Sequence, residues 1–400
     1  MSGEIIHYPM FQDPALTVNE RYKEIQEKGL IKVRLPYGEP AWLATRYHDV
    51  RQVFGDHRLS RKMSLDHDAA GLFPSARMND PGLLLNQDPP GHTGTRRLVA
   101  APFTPGHVQE LTGSVQKIVD ELADDLAAAG PPADFVSIFS SQLSFRVLSG
   151  ILGIPRDKGV EFRKWIEIAA NMEGDEDTKA EANAHSYAFI KRMLADKRVR
   201  PADDLLSILV QARDRDDKLS EDQLVSLAFQ FWFGGFKTVF WQLGNTVYTL
   251  MTHRERWQEL LDNPGLMTVA MEELGRWIPS FRYAGIFPRF AKEDVEFSDG
   301  TVVRAGESVV PEIAVANRDE SVYSRAGELD FHRVDPPQHL AFTHGAHKCI
   351  GQHLARLQIR LAIETLLRRF PTLSLAVAPE ALTWSSSTLL RSVETLPLKW

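Results

Sequence analysis

Cys349 is the only cysteine in the 400 residues and lies in Phe342-Thr-His-Gly345-Ala-His347-Lys348-Cys349-Ile-Gly351. It has no partner for an internal disulfide. An apolar-periodic segment follows it, and backbone N–H groups at a helix start favour a thiolate. His347 and Lys348 add positive potential. Taken alone, the residue reads better as a small buried hydrophobe, which is what most free cysteines are. Other residues have spacing that suits chemistry. His92 and Arg96, in Asp88-Pro-Pro-Gly-His92-Thr-Gly-Thr-Arg96-Arg97, point one way from a helix and offer two cations to a carboxylate. Glu273 and Arg276 occupy one helical face, where an ion pair is usually worth little. Lys237 and Thr238 set an ammonium beside a hydroxyl, just after Gly234-Gly235-Phe236.

The Phe-x-x-Gly-x-x-x-Cys-x-Gly pattern resembles the haem-binding loop of the cytochrome P450 family, and the chain looks most like its soluble bacterial members. The resemblance implies that Cys349 is the thiolate ligand of haem iron, pushing electron density toward O–O cleavage. Gly345 and Gly351 then suit a tight turn that brings backbone N–H groups toward the sulfur, and Phe342 packs beside the porphyrin. By the same resemblance His92, Arg96, Arg289 and His347 clamp the haem propionates. Glu273 and Arg276 join Arg333 in a structural, non-catalytic network that holds the loop. Matches run from the first hairpin to the C-terminus, so the resemblance covers essentially the whole chain.

One position departs from the family pattern. An acid usually precedes the threonine of the long helix; here Lys237 stands in its place, while Thr238 keeps the alcohol role. Two adjacent helical glycines, Gly234 and Gly235, cost about 1 kcal/mol each against alanine. They suit either a kink that admits oxygen and water or simple relief of helix packing. An ammonium with a pKa near ~10.4 is a poor proton relay unless burial lowers it. Three routes remain open. Lys237 faces outward toward an acid while water and Thr238 deliver protons; the substrate supplies the missing polar group; or the reaction runs by hydrogen abstraction and radical coupling.

The elements that must position these residues are mostly helical. Ile31–Leu35 and Ala41–Thr45 flank Pro-Tyr-Gly-Glu-Pro and read as a hairpin, with a short helix from Arg46 to Gly55. Ser60 to Asp88 is loop-like. Helical periodicity dominates from Pro105 to Leu209, broken at Gly130-Pro-Pro, at Gly153-Ile-Pro155 and at the acidic run Glu173 to Glu181. Ser220-Glu-Asp-Gln223 fits a capping box that opens a helix to about Met251. A helical stretch spans Pro264 to Trp277, a hairpin Glu296 to Val309, and a helix Gly351 to Phe370; the segment after Pro371 is β-like. The expectation is a single domain over residues 1–400, mainly α with a minor β region. The resemblance makes it the P450 fold, with a long central helix over the haem and the Cys loop beneath.

Apolar residues make up 43% of the chain and charged residues 25%, as in an ordinary globule, and the net charge of −7 disfavours general nucleic-acid binding. No apolar span suits a membrane, and the single cysteine fits a reducing compartment, so a cytoplasmic protein is expected. Residues Asn86, Gln87, Phe233, Ala284, Phe287 and Ser387 suggest a largely apolar substrate pocket with a few polar anchors. The resemblance further implies haem b, dioxygen, a small-molecule substrate, and electrons from NAD(P)H through a ferredoxin and its reductase. Lys348, Arg356 and Arg360 would form a basic dock for the ferredoxin. The expected activity is oxidation of an apolar, aromatic or polycyclic specialised metabolite. Alternatives are oxidative C–C or C–N coupling without oxygen insertion, a non-catalytic haem protein, and a helical interaction protein with no cofactor.

Overall fold

The computed structural model describes residues 5–10, 15–66, 69, 71, 80–169, 175–216, 218–279, 281, 287–385 and 390–400. They fall into two compact units, one of residues 1–94 and 272–349, the other of residues 95–271 and 350–400. Each is described by itself.

The first unit is built on a six-stranded sheet. Its spatial order is Ile6–His7, Ile31–Arg34, Ala41–Ala44, Ser308–Pro311, Arg289–Ala291 and Leu59–Ser60. The expected hairpin pairs Lys32 with Trp42 antiparallel. Ala41–Ala44 then runs parallel to Ser308–Pro311, with Leu43 opposite Val310. Strand Arg289–Ala291 pairs antiparallel with Ser308–Pro311 and with Leu59–Ser60, which brings Ser60 opposite Phe290. Val33, Leu43 and Val310 are wholly buried beneath this sheet, as alternation predicts for a covered face. Helix Tyr47–Gly55 buries Tyr47, Val50, Val53 and Phe54 in a cluster with Val309, Tyr323 and Leu340. The expected hairpin around Asp299-Gly300 is shorter than its sequence pattern. Only Val295–Glu296 and Val302–Val303 pair with each other, and Ser308–Pro311 leaves to join the large sheet.

The second unit is helical. Its axis is Glu221–Thr252, 32 residues long, opened by the predicted capping box: the Gln223 N–H donates to Ser220 Oγ (3.1 Å) and the Ser220 N–H to Gln223 Oε1 (2.9 Å). Ser141–Leu152 packs along it. The acidic run, expected to break the helices, is helical from Glu176 onward: Asp175 accepts from the Thr178 N–H (2.8 Å) and caps Glu176–Val199. Helix Arg254–Asp262, which the sequence reading left unassigned between Met251 and Pro264, follows the axis directly. The predicted helix before the C-terminal segment is Gln352–Arg369, and the β-like end is two short strands, Ser374–Leu375 and Pro397–Lys399. No helix among the described residues is long and apolar enough to cross a membrane.

Candidate active site

The loop that carries Cys349 is shaped by its own backbone. The Cys349 N–H donates to Phe342 O (2.9 Å), Lys348 N–H to Gly345 O (3.1 Å) and Thr343 N–H to Leu340 O (2.8 Å). Gly345 has φ +69°, and a Cβ there would lie 2.5 Å from the Phe54 carbonyl oxygen, so no other residue fits this turn. Gly351 differs: its φ is −83° and a Cβ would meet nothing within 4 Å, so no backbone strain demands glycine there. The Cys349 side chain is exposed rather than packed among aliphatics, against the small-buried-hydrophobe alternative.

Upstream of the loop, Glu273 and Arg276 form a buried network with Arg333. Arg276 reaches both carboxylate oxygens of Glu273 at 2.7 Å, through Nε and Nη2, and Arg333 Nε donates to Oε1 at 2.9 Å. The Asp330 N–H adds a fourth bond to Oε1 at 2.9 Å. The remaining guanidinium N–H groups go to carbonyls: Arg276 to Asn317, Ala326 and Glu328, Arg333 to Ser324, Arg325 and Glu328. The side chains of Arg276 and Glu273 are only 2% and 5% exposed, so this is no surface ion pair of small worth. It ties the end of helix Met267–Trp277 to the segment that leads into the Cys loop. Asn317 Oδ1 accepts from the Leu340 N–H (2.7 Å), and Tyr47 Oη donates to the Gln338 carbonyl (2.7 Å).

Of the four cations expected to clamp an anion, His92, His347 and Arg289 lie in this unit and Arg96 in the other. The rings of His92 and His347 stand 4.2 Å apart, and His92 is buried. Arg289 is 2% exposed, with its guanidinium 5.9 Å from the Phe54 ring. Among the described residues its side chain donates only to the adjacent Pro288 carbonyl (3.4 Å) and makes no ion pair. Burial, reinforced by the Arg61 charge and opposed by Asp88, lowers its pKa to about 9. A fully buried guanidinium without a carboxylate is costly unless a ligand supplies the anion. Arg96 lies on helix Gly91–Val99, half-buried. No group of three or more His, Cys, Asp or Glu among the described residues could hold a metal. One exposed cysteine together with carboxylate-seeking cations is a donor set that fits haem, whose macrocycle brings its own nitrogens and two propionates.

On the long helix the two glycines separate in function. A Cβ on Gly235 would fall 3.0 Å from Leu148 Cδ1 and 3.2 Å from Cδ2, so Gly235 allows close packing against Ser141–Leu152. A Cβ on Gly234 would meet nothing within 4 Å. Gly234 and Thr238 are both exposed on one helical face, where Thr238 Oγ1 donates back to Gly234 O at 2.6 Å. The opposite side is tied by hydroxyls. Ser144 Oγ donates to Phe236 O (2.6 Å) and Gly235 O (3.3 Å), and Ser140 Oγ to Phe240 O. Lys237 does not face solvent; it is 6% exposed, with its ammonium 5.1 Å from the Trp241 ring.

Of the pocket candidates, Phe233 is half-buried and stacks on Phe229 (5.9 Å), which stacks on Tyr187 (4.9 Å). Asn86 is buried and donates to the Asp80 carbonyl (3.0 Å), and Gln87 bonds the Gly82 carbonyl (3.5 Å), so both brace their own loop. Phe287 meets Phe54 and Phe281 edge-on at 6.1 and 5.2 Å, beside the first unit's core. Ala284 and Ser387 lie outside the described residues. Lys348 donates to Gln338 Oε1 (3.0 Å); in the second unit Arg356 bonds Gln352 Oε1 (3.1 Å) and Arg360 pairs with Glu364 (3.5 Å). Sequence reasoning missed Arg61. Its only signal was an arginine directly after a short Leu-Ser strand.

The family model described as Cytochrome P450 matches residues 269–391. Mycinamicin IV hydroxylase/epoxidase of Micromonospora griseorubida is 40% identical over 401 residues, covering 100% of both chains. Among solved structures, HinD with NMFT and NO superposes with a TM-score of 0.94 at 38% identity, covering 99% of this chain and 100% of that one. Cytochrome P450mel 107F1 with biaryl coupling reactivity gives a TM-score of 0.93 at 34% identity, with the same coverage.

Proposed function

The chain belongs to the cytochrome P450 family, and on that footing we propose how its residues carry out the oxidation of an apolar specialised metabolite. It is a haem-thiolate monooxygenase, and residues 1–400 act as one catalytic domain. Bound haem supplies the activation of dioxygen and the abstraction of hydrogen from substrate. The observation that carries this reading is a thiol exposed on a loop braced by the Glu273 network, in a unit whose buried Arg289 has no carboxylate partner among the described residues. Cys349 holds the iron. Arg289, His92, His347 and Arg96 hold the propionates. Glu273, Arg276 and Arg333 keep the loop in position.

Thr238 would offer its Oγ1 proton for dioxygen chemistry from the exposed face of the long helix. Its proton rests on Gly234 O and has only to turn outward. The open Gly234 face leaves room for water to refill that proton. Lys237 lies against Trp241 rather than reaching solvent, so it is not placed as the solvent-linked relay that an acid would be. Phe233, with Phe229 and Tyr187, offers an aromatic wall to an aromatic or polycyclic substrate. Electrons come from NAD(P)H through a ferredoxin and its reductase in the cytoplasm. Raised ionic strength should slow reduction if Lys348, Arg356 and Arg360 receive an acidic ferredoxin.

The test is expression with haem supply. The wild type should show a Soret band and a thiolate-type carbonyl complex, and Cys349→Ser should lose the thiolate signature. A wild type with no Soret band refutes the assignment. A second reading, oxidative coupling without oxygen insertion, is favoured by the lysine in the acid's place and by the coupling relative. Labelled dioxygen decides between them: label in the product means insertion, and hydrogen loss without label means coupling.

A further inference from the structure

Arg61 is an arginine that neither the haem clamp nor the loop brace uses. It follows strand Leu59–Ser60, next to the strand that carries Arg289, and is 3% exposed. Arg61 Nη1 donates to the Pro288 carbonyl (3.3 Å), the same oxygen that accepts from Arg289 Nη1 (3.4 Å). Two guanidinium groups thus converge on one carbonyl inside the first unit. Arg61 Nε is buried with no hydrogen-bond partner among the described residues. The acid beside the pair is Asp88, and the side chain of neither arginine bonds its carboxylate. Oδ1 accepts from the Arg61 N–H (3.0 Å) and Lys62 N–H (3.3 Å), and Oδ2 accepts from Ser60 Oγ. Among the described residues Arg61 forms no ion pair.

A fold has no structural reason to bury a second guanidinium beside the first with so few acceptors. Each such cation lowers stability until an anion meets it. Burial pushes the Arg61 pKa down to about 10, with Asp88 pulling the other way, which agrees with a cation short of a counter-charge. A planar fork with a spare Nε–H and Nη–H edge matches a carboxylate in bidentate geometry.

We infer that Arg61 is a carboxylate-binding residue, placed to take an anionic group of a bound ligand beside the one that Arg289 takes. The inference rests on the haem-protein reading above and deepens it: a carboxylate at Arg61 comes either from the haem or from an acidic substrate. In the second case the enzyme selects carboxylic acids over their neutral counterparts.

The experiment uses the haem-loaded full chain as wild type, Arg61→Gln and Arg61→Lys, with benzoate and benzamide as the probes. The expected result is that ~10 mM benzoate raises the wild-type melting midpoint about 2 °C more than benzamide does. Arg61→Gln should abolish that difference, and Arg61→Lys should keep part of it, since a lysine retains the charge but not the fork. If Arg61→Gln keeps its Soret absorbance per mole of protein, the carboxylate belongs to a free ligand. If that absorbance falls, it belongs to the haem, and the inference stands in that form. Equal shifts by benzoate and benzamide in the wild type, with full haem content in Arg61→Gln, would overturn it. So would a melting midpoint for ligand-free Arg61→Gln several degrees below wild type with the benzoate difference intact, which would make Arg61 a brace. The haem reading fails separately, by a wild type without a Soret band, while the benzoate comparison can still be read on the unloaded protein.

Discussion

Glu273→Gln removes one charge from the most enclosed ionic network of the first unit, and its cost can be worked from the bonds. The carboxylate accepts four hydrogen bonds, two from Arg276, one from Arg333 and one from the Asp330 N–H. An amide of the same shape replaces one acceptor oxygen with a donor, set against N–H groups that already point inward. Breaking one partner of a buried pair costs about 3–5 kcal/mol. The backbone carbonyls around both guanidinium groups remain, so the lower half of that range applies. For a chain of this length melting as one cooperative unit, about 2 cal/mol/K per residue gives a fall in melting midpoint of roughly 4 °C, and more than double that if the first unit melts alone. Scanning calorimetry on the haem-loaded protein reads the shift. The ratio of Soret to protein absorbance reads whether the Cys loop still holds its ligand, and should fall. Arg333→Gln added to Glu273→Gln should cost less than in the wild type, with a coupling of about 1–3 kcal/mol. A shift below ~1 °C with full haem content would refute the view that this network sets the loop.

Gly234→Ala and Gly235→Ala should differ although they are neighbours. The first gains about 1 kcal/mol of helix propensity with nothing in its way. The second spends that gain against Leu148, so its net stability should be unchanged or lower in a melt. Gly234→Ala alone should alter substrate-induced spin shifts, because only its methyl enters the Thr238 face. Arg289→Met should make the haem-free protein more stable at pH 8. The folded pKa of Arg289, about 9, lies below its ordinary value, so the unfolded chain binds the extra proton and wild-type stability rises with pH above ~9. The advantage of the variant should therefore shrink between pH 8 and 10.5, measured as the difference in denaturation midpoint; a constant difference would contradict it. In the loaded protein the same substitution should lower haem retention. Lys237→Asp should change the ratio of product to peroxide, and an unchanged ratio would make Lys237 a bystander.

Much of the molecule was legible because its signals are local. The capping box, the helix spacing of Glu273 and Arg276 and the glycine-punctuated Cys loop depend on neighbours within a few residues. What was hidden depended on distant partners. Ser308–Pro311 alternates as the second arm of a hairpin would, yet it finds its register beside Ala41–Ala44. The glycines 234 and 235 are alike in sequence and divided only by Leu148. Arg61 looks like a surface arginine until the strand pairing lays it beside Arg289. Helix Arg254–Asp262 fills the stretch between Met251 and Pro264 to which the sequence reading gave no element; only two of its nine residues, Trp257 and Leu260, are buried, so it carries little apolar signal.

The hydroxyls of Ser140 and Ser144, which grip carbonyls along one flank of the 32-residue helix, give that rod a preferred direction of bending. Its rear is clasped to a neighbour, while its front holds a single side-chain latch from Thr238. An opening of the rod by a fraction of a turn is expected to go forward, toward the latch, because the rear carbonyls are held. Shape change in this segment is therefore steered to the place where a small molecule would feel it.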